Sequence, residues 1–338
     1  TVTAAWTQTV STALRYTIFR LELVPGSPTT YLYGGEAREM TPRTVTITVQ
    51  AAPGVFAEYS HTFWETHYGP VIQTAQMPWT ETTAFAVRDV NADNLRALDL
   101  WLDINRASSV REIKALLDYY QGMPWVNTIA VDAFGEAFYG DHSVVPHVTP
   151  AKMAECGWPV LDGSRSACEW GTDPDAAVPG IFGPGNLPTL IRTDYATNMN
   201  NSYWLSNPDE PLTGFSPIIG SENSDIGLRA RLGLLMNEER QLQTVMFNNR
   251  HYGAELVRDD LVALCVANPS VTMPDGTVVD ISEACDVLAQ WDLRVDVDSR
   301  GAHVFHEFAR LGGLRFRVPF DVSDPVHTPH TLDTDDPA

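Results

Sequence analysis

The chain contains 338 residues, 44% of them hydrophobic, and its 43 acidic residues outnumber 22 basic residues for a formal net charge of −21. That length and apolar content suffice for one large domain or two ordinary ones. The acidic excess opposes binding to phosphate backbones and anionic lipids, so we expect no nucleic-acid partner. No run approaches the roughly 18 apolar residues that cross a bilayer, so we expect no membrane partner either.

The N-terminal third has the pattern of a meander of strands. The run from Trp6 to Val10, followed by Ser11 and Thr12, predicts a polar turn that enters a strand. Alternating β-branched and aromatic residues predict strands further along. The predicted strands are 16–23, 44–50 and about 56–64, with a Tyr-Gly-Pro turn at 68–70.

Helical patterns follow the strands. Ser109 with Glu112 matches the capping box at the start of a helix, and Gly122 predicts a left-handed cap at its end. The predicted elements of this stretch are helices at 91–105 and 109–122, strands at 127–131 and 137–140 around a hairpin turn at 132–135, and an irregular surface excursion at 157–188.

The last third is mostly helical. Its predicted helices are 226–235, 242–249, 254–265, 282–291 and 303–311, followed by an extended tail at 318–338. Strands and helices do not alternate regularly along the chain, which favours an α+β architecture with an antiparallel sheet over a Rossmann fold.

Four cysteines form two local pairs, Cys156 with Cys168 and Cys265 with Cys285. Neither pair has the C-x2-C spacing or the neighbouring histidines of a zinc site, and an even count is typical of a disulfide framework. We therefore favour two short-loop disulfides and an oxidising compartment. Four buried thiols are the alternative, because cysteine is also a common core residue in cytosolic proteins.

Several motifs of known chemistry are missing from the sequence. It has no P-loop, no G-x-S-x-G elbow and no H-E-x-x-H helix. His61 and His67 are predicted to lie on one side of a strand, and His303 and His306 one helical turn apart. Two histidines alone do not fill a metal site, so we interpret both pairs as solvated surface.

Three segments contain groups that donate hydrogen bonds without competing for protons, as an oxyanion hole requires. They are the turn after Trp6, the amide-rich run 198–204 (NMNNSYW) and the run 227–231 (GLRAR). From the residues alone, a turn, a cap or a surface arginine is the commoner explanation of each segment.

Four collinear stretches are long and specific: 66–72 (THYGPVI), 123–146 (MPWVNTIAVDAFGEAFYGDHSVVP), 198–208 (NMNNSYWLSNP) and 214–231 (GFSPIIGSENSDIGLRAR). Together they resemble the β-chain of the penicillin acylase family of N-terminal nucleophile hydrolases. Within that family the chain is most similar to the acyl-homoserine-lactone acylases and the aculeacin or echinocandin lipopeptide acylases. The resemblance implies a four-layer α/β/β/α sandwich with antiparallel sheets.

The resemblance also implies roles for single residues. In that family the β-chain begins with a serine nucleophile whose own α-amino group is the base. A backbone N–H in a W-x-x-T-[AV] turn and an asparagine in an N-x-N run form the oxyanion hole, and an arginine orients that asparagine. The matching positions are Val10, Asn200 and Arg229, with Arg231 as a close rival of Arg229.

Substrate binding and metal content follow from the same resemblance. The tryptophans that line the acyl pocket of long-chain members correspond to Trp101 and Trp125, although a tryptophan serves a core equally well. Penicillin G acylases carry acidic residues after the oxyanion turn that help to hold calcium. The stretch 11–15 (STALR) has none, so we expect no metal and no cofactor.

The chain departs from the family pattern at its start. Family β-chains carry several tens of residues, including the nucleophile and a neighbouring histidine, before the tryptophan turn, whereas five residues precede Trp6. We therefore expect residues 1–338 to be a single β-chain segment that lacks the nucleophile-bearing part and the C-terminal part. Thr1 aligns inside a loop, and we do not expect it to be catalytic.

The function implied is that of an acylase, which removes a long-chain or aromatic acyl group from a lipopeptide or acyl-homoserine lactone through an acyl-enzyme intermediate. Its expected partners are a small acyl-amide substrate and the α-chain and remaining β-chain of one processed precursor. We expect a secreted or periplasmic location. Two alternatives stay open: a β-lactam acylase of the penicillin V type, and a non-catalytic secreted binding or scaffold protein with an acylase-like frame.

Overall fold

The computed structural model describes residues 3–239 and 247–335, and the chain divides into two compact units, Thr1–Ser221 and Glu222–Ala338. Both units combine helices with antiparallel strand pairs, so the fold is α+β. Within these described ranges, no helix is long and apolar enough to cross a membrane.

The first unit contains two sheets and three α-helices. Its strands are β1 (Ala4–Val10), β2 (Tyr16–Val24), β3 (Ser27–Tyr33), β4 (Glu36–Glu39), β5 (Thr41–Ala52), β6 (Val55–Thr66), β7 (Gly69–Ile72), β8 (Thr83–Asp89), β9 (Val126–Asp132), β10 (Ala137–Gly140), β11 (Val160–Asp162) and β12 (Thr189–Arg192). Its helices are α1 (Arg96–Ile104), α2 (Val110–Tyr120) and α3 (Pro150–Cys156). The first sheet has the order β1–β9–β10–β12; the second has the order β4–β3–β2–β8–β7–β6–β5, with β11 parallel to β2.

Helices α1 and α2 pack on one face of the first sheet. Because side chains alternate along a strand, Val126 and Ala130 of β9 point to the helical face, whereas Asn127 points to the other. The buried core of this layer is Leu100, Ile104, Ala107, Val110, Ile113, Leu117, Met123, Ala130 and Phe138. Burying each large apolar side chain contributes about 1.5–3 kcal/mol, so this layer holds the sheet rigidly beneath the polar residues of its opposite face.

Helix α2 begins where the capping box predicts, but its two ends differ in detail from the prediction. Ser109 Oγ accepts the Glu112 N–H at 3.2 Å, while the Glu112 carboxylate accepts the Ser108 N–H at 2.7 Å, one residue before the position that a capping box uses. The left-handed cap is Gln121, with φ of 45°, and not Gly122. Gly122 serves a close approach instead, because a Cβ there would lie 2.7 Å from the backbone of α1.

Strands β5 and β6 form a ribbon that is exposed along most of its length. Its register places Ile47 opposite Tyr59 and leaves His61 on the same apolar face. The opposite face is rich in hydroxyl groups, where Thr44 bonds Thr62 at 2.9 Å. His61 is exposed on this ribbon, as predicted.

A charged cluster ties the irregular stretch 157–188 to the second sheet. Glu169 follows Cys168, which is disulfide-bonded to Cys156, and its carboxylate binds His67 at 3.0 Å and Arg88 at 2.5 Å. The hydrogen bond from His67 and the charge of Arg88 lower the pKa of Glu169 to about 2, against the opposing effect of partial burial. His67 is exposed, as predicted, but the prediction that it lies on a strand is wrong: it follows the end of β6 and belongs to this ion-pair cluster.

The second unit packs helices around an aromatic core. Its elements are α4 (Leu228–Glu239), α5 (Tyr252–Ala267), β13 (Ser270–Thr272), β14 (Val278–Asp280), α6 (Ser282–Ala289), α7 (Ala302–Gly312), β15 (Phe316–Val318) and β16 (His330–Leu332). The core contains Ala254, Val257, Leu261, Leu288, Trp291, Phe305 and Leu332. A disulfide between Cys265 and Cys285 joins α5 to α6.

Arg231 of α4 is fully buried and anchors the C-terminal segment. Its guanidinium donates to the carbonyl oxygens of Val326 at 2.9 Å, His327 at 2.7 Å and Pro329 at 2.8 Å. A guanidinium carries five N–H donors in a rigid planar group, which suits it to several carbonyls at once. The burial of Arg231 and its bonds to three carbonyl oxygens therefore indicate a structural role for this residue.

The structure confirms most predicted elements and corrects others. The predicted strands are present as β2, β5, β6, β9 and β10, and helices are present near 91–105 and through the last third. At the N-terminus the predicted order is wrong, because strand β1 comes first and the polar turn follows it. The helix expected at 242–249 lies largely outside the described residues. The tail is not simply extended, because β15 pairs with β16.

Replacing Glu169 with glutamine is expected to remove a pH-dependent part of the stability. Because the folded pKa of about 2 lies below the ordinary 4.5, the Glu169 carboxylate stabilises the fold fully above that ordinary value and loses this effect as the pH falls toward 2. Urea unfolding at about pH 6 and about pH 3 should show a larger difference between wild type and Glu169→Gln at the higher pH. An equal difference at both pH values would contradict the ion-pair account.

Replacing Arg231 with methionine is expected to lower the free energy of unfolding by about 3 kcal/mol, because buried carbonyl oxygens lose their donors. The matched control is Arg229→Met on the same helix. Arg229 is exposed, so the expected loss there is below about 1 kcal/mol. Equal losses in the two variants, measured by urea unfolding, would refute the structural role of Arg231.

Candidate active site

The end of β1 presents the backbone N–H and C=O groups of Val10 at the edge of the first sheet. Val10 pairs with Val126 in antiparallel register, and the next residue, Ser11, donates its N–H to the Trp125 carbonyl at 3.0 Å. Hydrogen-bonded pairs alternate with non-hydrogen-bonded pairs in such a ladder, so Val10 exchanges no backbone hydrogen bonds with β9. Strand β1 is the edge strand of this sheet in the described ranges, so the Val10 N–H points outward from that edge.

The side chain of Asn200 reaches the Val10 carbonyl from a turn 190 residues further along the chain. Its Nδ2 donates to the Val10 carbonyl oxygen at 3.1 Å. Its backbone is left-handed, with φ of 61°, and its N–H donates to Asn198 Oδ1 at 2.8 Å. Asparagine tolerates this conformation better than most residues, because its short side chain bonds the local backbone. The structure thus brings two of the predicted site residues together.

Asn198 joins this turn to β1. Its Oδ1 accepts hydrogen bonds from the Asn200 N–H, from Thr9 Oγ1 at 2.9 Å and from Asn127 Nδ2 at 3.1 Å. Its Nδ2 donates to the Asn201 carbonyl at 2.9 Å. One buried amide therefore holds the turn, strand β1 and strand β9 in a single arrangement.

The orientation of these amides follows from neighbours that have only one hydrogen-bonding role. A backbone carbonyl only accepts, so the Asn200 atom that faces Val10 is Nδ2 and not Oδ1. A backbone N–H only donates, so Asn198 presents Oδ1 to Asn200. The Asn200 carboxamide consequently brings a nitrogen with two N–H groups to the Val10 peptide.

The chain immediately after Val10 is anchored by a buried carboxyl group. Asp141, fully buried, accepts the Ser11 hydroxyl at 2.5 Å and the Ser143 hydroxyl at 2.6 Å. Burial raises the pKa of Asp141, and the bonds from the two serines oppose that rise. Ser11 Oγ also accepts the Ala13 N–H at 2.8 Å, which closes the turn.

This arrangement is suited to stabilising an oxygen that gains negative charge. The Val10 N–H and the Asn200 carboxamide are hydrogen-bond donors at one exposed sheet edge. Donors of this kind contribute most when they are fixed before the reaction, because they then need no reorganisation as charge develops.

The two predicted pocket tryptophans lie in different surroundings. Trp125 is 39% exposed, stacks against the Arg15 guanidinium at 4.3 Å, and adjoins Val126, the strand partner of Val10. Trp101 lies on α1 and packs against the apolar core between that helix and the first sheet. Trp125 is therefore beside the candidate site, and the acyl-pocket role of both tryptophans stays a prediction.

The remaining predicted residues belong to the second unit. Arg229 is exposed on α4 of the second unit, and its role in orienting Asn200 stays a prediction. His303 and His306 are exposed on α7, as expected from the sequence. Across residues 3–239 and 247–335, no group of three or more His, Cys, Asp or Glu side chains is placed to hold a metal ion.

Sequence reasoning missed Asn127, Tyr139 and Asp141. Asn127 and Tyr139 are buried on the face of the first sheet opposite the helices, and Asp141 is buried just after β10. All three lie inside the stretch 123–146 that carries the resemblance. Polar residues at inward positions of apolar strands were the available signal, because a buried polar group needs a partner.

Comparison with known proteins identifies the family. The family described as penicillin amidase matches residues 1–325. Aculeacin-A acylase of Actinoplanes utahensis is 50% identical over 97% of this chain and 44% of its own length. Acyl-homoserine lactone acylase PvdQ of Pseudomonas putida is 37% identical over 97% of this chain and 44% of its own length. The chain thus spans less than half the length of these relatives.

A solved structure shows the same fold. Thermostable penicillin G acylase from Alcaligenes faecalis superposes with a TM-score of 0.59 over 87% of this chain and 49% of the other, at 18% sequence identity. The mixture of helices and antiparallel sheets agrees with that similarity. The match over nearly the whole chain and the identity to two acylases show that this chain belongs to the penicillin amidase family.

Proposed function

We propose that this chain forms the oxyanion-binding part of an acylase that hydrolyses the amide bond between a long-chain or aromatic acyl group and an amine. The observation that carries the proposal is the contact of Asn200 Nδ2 with the Val10 peptide at an exposed sheet edge. The similarity to aculeacin-A acylase and to an acyl-homoserine lactone acylase supports a lipopeptide or acyl lactone as substrate.

In the proposed reaction a serine hydroxyl attacks the carbonyl carbon of the amide, and its proton passes to the α-amino group of that serine. The carbonyl oxygen becomes an oxyanion that accepts hydrogen bonds from the Val10 N–H and the Asn200 carboxamide. Collapse of the tetrahedral intermediate breaks the C–N bond, and the amine leaves with a proton. Water then hydrolyses the acyl-enzyme ester through the same oxyanion site.

The nucleophile belongs, in this proposal, to another part of the acylase polypeptide. The chain spans 44% of the length of aculeacin-A acylase, which leaves ample sequence in that relative for a nucleophile segment and an α-chain. Residues 1–338 would then be one β-chain segment of a processed precursor that forms the four-layer α/β/β/α sandwich. The role of Arg229 in orienting the oxyanion amide is part of this proposal and rests on resemblance.

The acyl group would bind beside the oxyanion site. Trp125 adjoins the Val10 strand pair and offers a partly exposed aromatic face. Such a rigid apolar surface suits a fatty or aromatic chain. Trp101 is the second proposed contact by resemblance. Two disulfides, Cys156–Cys168 and Cys265–Cys285, support a secreted or periplasmic location, where disulfides persist.

Asn200→Ala in the complete enzyme is expected to lower kcat by about 100- to 1,000-fold with little change in KM, because the lost donor acts on charge that develops only in the transition state. Asn268→Ala is the matched control, since Asn268 is an exposed asparagine of the second unit that bonds the Leu264 carbonyl. Steady-state kinetics with a long-chain acyl amide provide the measurement. A kcat near that of wild type for Asn200→Ala would refute the assignment.

The acyl preference is tested separately. A long-chain lipopeptide or acyl-homoserine lactone is expected to give a higher kcat/KM than a phenoxyacetyl amide, because an aromatic wall stabilises the longer chain through a larger buried area. A higher kcat/KM for the phenoxyacetyl amide would favour a β-lactam acylase. Failure to hydrolyse any of the three substrates would favour a binding or scaffold protein.

A further inference from the structure

Asn127 lies beneath the contact between Val10 and Asn200. It is 1% exposed on β9, directly opposite Thr9 of β1. Its Nδ2 approaches the Val10 carbonyl oxygen at 3.2 Å, Thr9 Oγ1 at 3.0 Å and Asn198 Oδ1 at 3.1 Å. A single buried nitrogen thus contacts the carbonyl oxygen of Val10, whose N–H is one oxyanion donor, and the turn that carries the other donor.

The Val10 carbonyl oxygen is held by two amides at once. Asn200 Nδ2 approaches it at 3.1 Å and Asn127 Nδ2 at 3.2 Å. A carbonyl oxygen has two lone pairs, so these bonds fill its capacity and fix the plane of the peptide. The Val10 N–H belongs to the preceding peptide, whose Thr9 carbonyl oxygen lies 3.5 Å from the same Asn127 nitrogen, so Asn127 helps to aim that N–H from both sides of Val10.

Tyr139 holds the Oδ1 end of the Asn127 amide. Its hydroxyl, on a fully buried side chain of β10, donates to Asn127 Oδ1 at 2.7 Å. Burial, with the nearby Asp141 charge adding to it, raises the pKa of Tyr139 well above its ordinary value. The hydroxyl therefore keeps its proton, and because the Val10 carbonyl can only accept, Asn127 turns Nδ2 toward Val10 and Oδ1 toward the Tyr139 hydroxyl.

We propose that Asn127 and Tyr139 are positioning residues for the oxyanion hole, which fix the Val10 peptide and the Asn198–Asn200 turn without touching the reacting atoms. This inference rests on the proposed acylase function. Tyr139 orients the Asn127 amide, Asn127 holds the Val10 carbonyl and Asn198 Oδ1, and Asn198 fixes the backbone of Asn200.

The test is a double-mutant cycle in the complete enzyme. Tyr139→Phe removes only the hydroxyl and is expected to lower kcat about tenfold with KM changed less than about twofold, because a misaligned donor loses transition-state stabilisation. In an Asn200→Ala background, the same change is expected to lower kcat by a smaller factor than in the wild type, since one of the two donors that it positions is already missing. A structural role alone would give equal losses in both backgrounds.

A matched control distinguishes the loss of a positioning hydroxyl from the general effect of removing any buried hydroxyl. Tyr68 is 3% exposed in the turn between β6 and β7, and its hydroxyl donates to the Gly163 carbonyl at 3.1 Å. Tyr68→Phe is expected to lower stability similarly and to leave kcat unchanged. The proposal is overturned if Tyr139→Phe leaves kcat unchanged, if it raises only KM, or if its effect is equally large in the Asn200→Ala background.

Crystal structures of the wild-type and Tyr139→Phe complete enzymes test the positioning independently of activity. The expected result is that the Asn200 Nδ2 to Val10 oxygen distance lengthens beyond about 3.5 Å in Tyr139→Phe, the limit of a hydrogen bond. An unchanged distance would contradict the positioning role. Lack of hydrolysis by the wild-type enzyme would refute the proposed function while leaving this structural result to decide the role of Tyr139.

Discussion

The hydrogen bond from Asn200 Nδ2 to the Val10 carbonyl is the interaction on which the proposed function depends. It connects a turn to a sheet edge across 190 residues of sequence, and it places an amide nitrogen beside an outward-pointing peptide group. The left-handed backbone of Asn200 and its bond to Asn198 set the direction of that side chain. Neither the Val10 N–H nor the Asn200 carboxamide needs to exchange a proton to stabilise an oxyanion. Both donors therefore contribute through their fixed geometry alone.

The polar layer behind this contact explains how such geometry persists. Asn127 and Tyr139 are buried on a sheet whose other face packs against apolar helices, so an unsatisfied polar atom there would be costly. Each observed bond instead joins a donor to a group that accepts, from the Tyr139 hydroxyl through Asn127 to Asn198. A fully satisfied network of this kind disfavours alternative side-chain arrangements and thereby rigidifies the site.

Local patterns in the sequence predict much of the fold, while long-range contacts decide the site. Alternation and capping identify β2, β5, α2 and the β9–β10 hairpin, because those signals act over a few residues. The order of strand and turn near Val10 is missed, since β1 is defined by its pairing with β9, which lies more than a hundred residues away. The resemblance points to Val10 and Asn200, but the support from Asn127 and the ion pairs of Glu169 require the folded chain.

The most direct test of the account is a crystal structure of the complete enzyme with a phosphonate or boronate that forms a tetrahedral adduct on the nucleophile. One adduct oxygen is expected within about 3.1 Å of both the Val10 backbone nitrogen and Asn200 Nδ2. An adduct oxygen bound to other donors, with Val10 and Asn200 turned away from it, would contradict the assignment of the oxyanion hole.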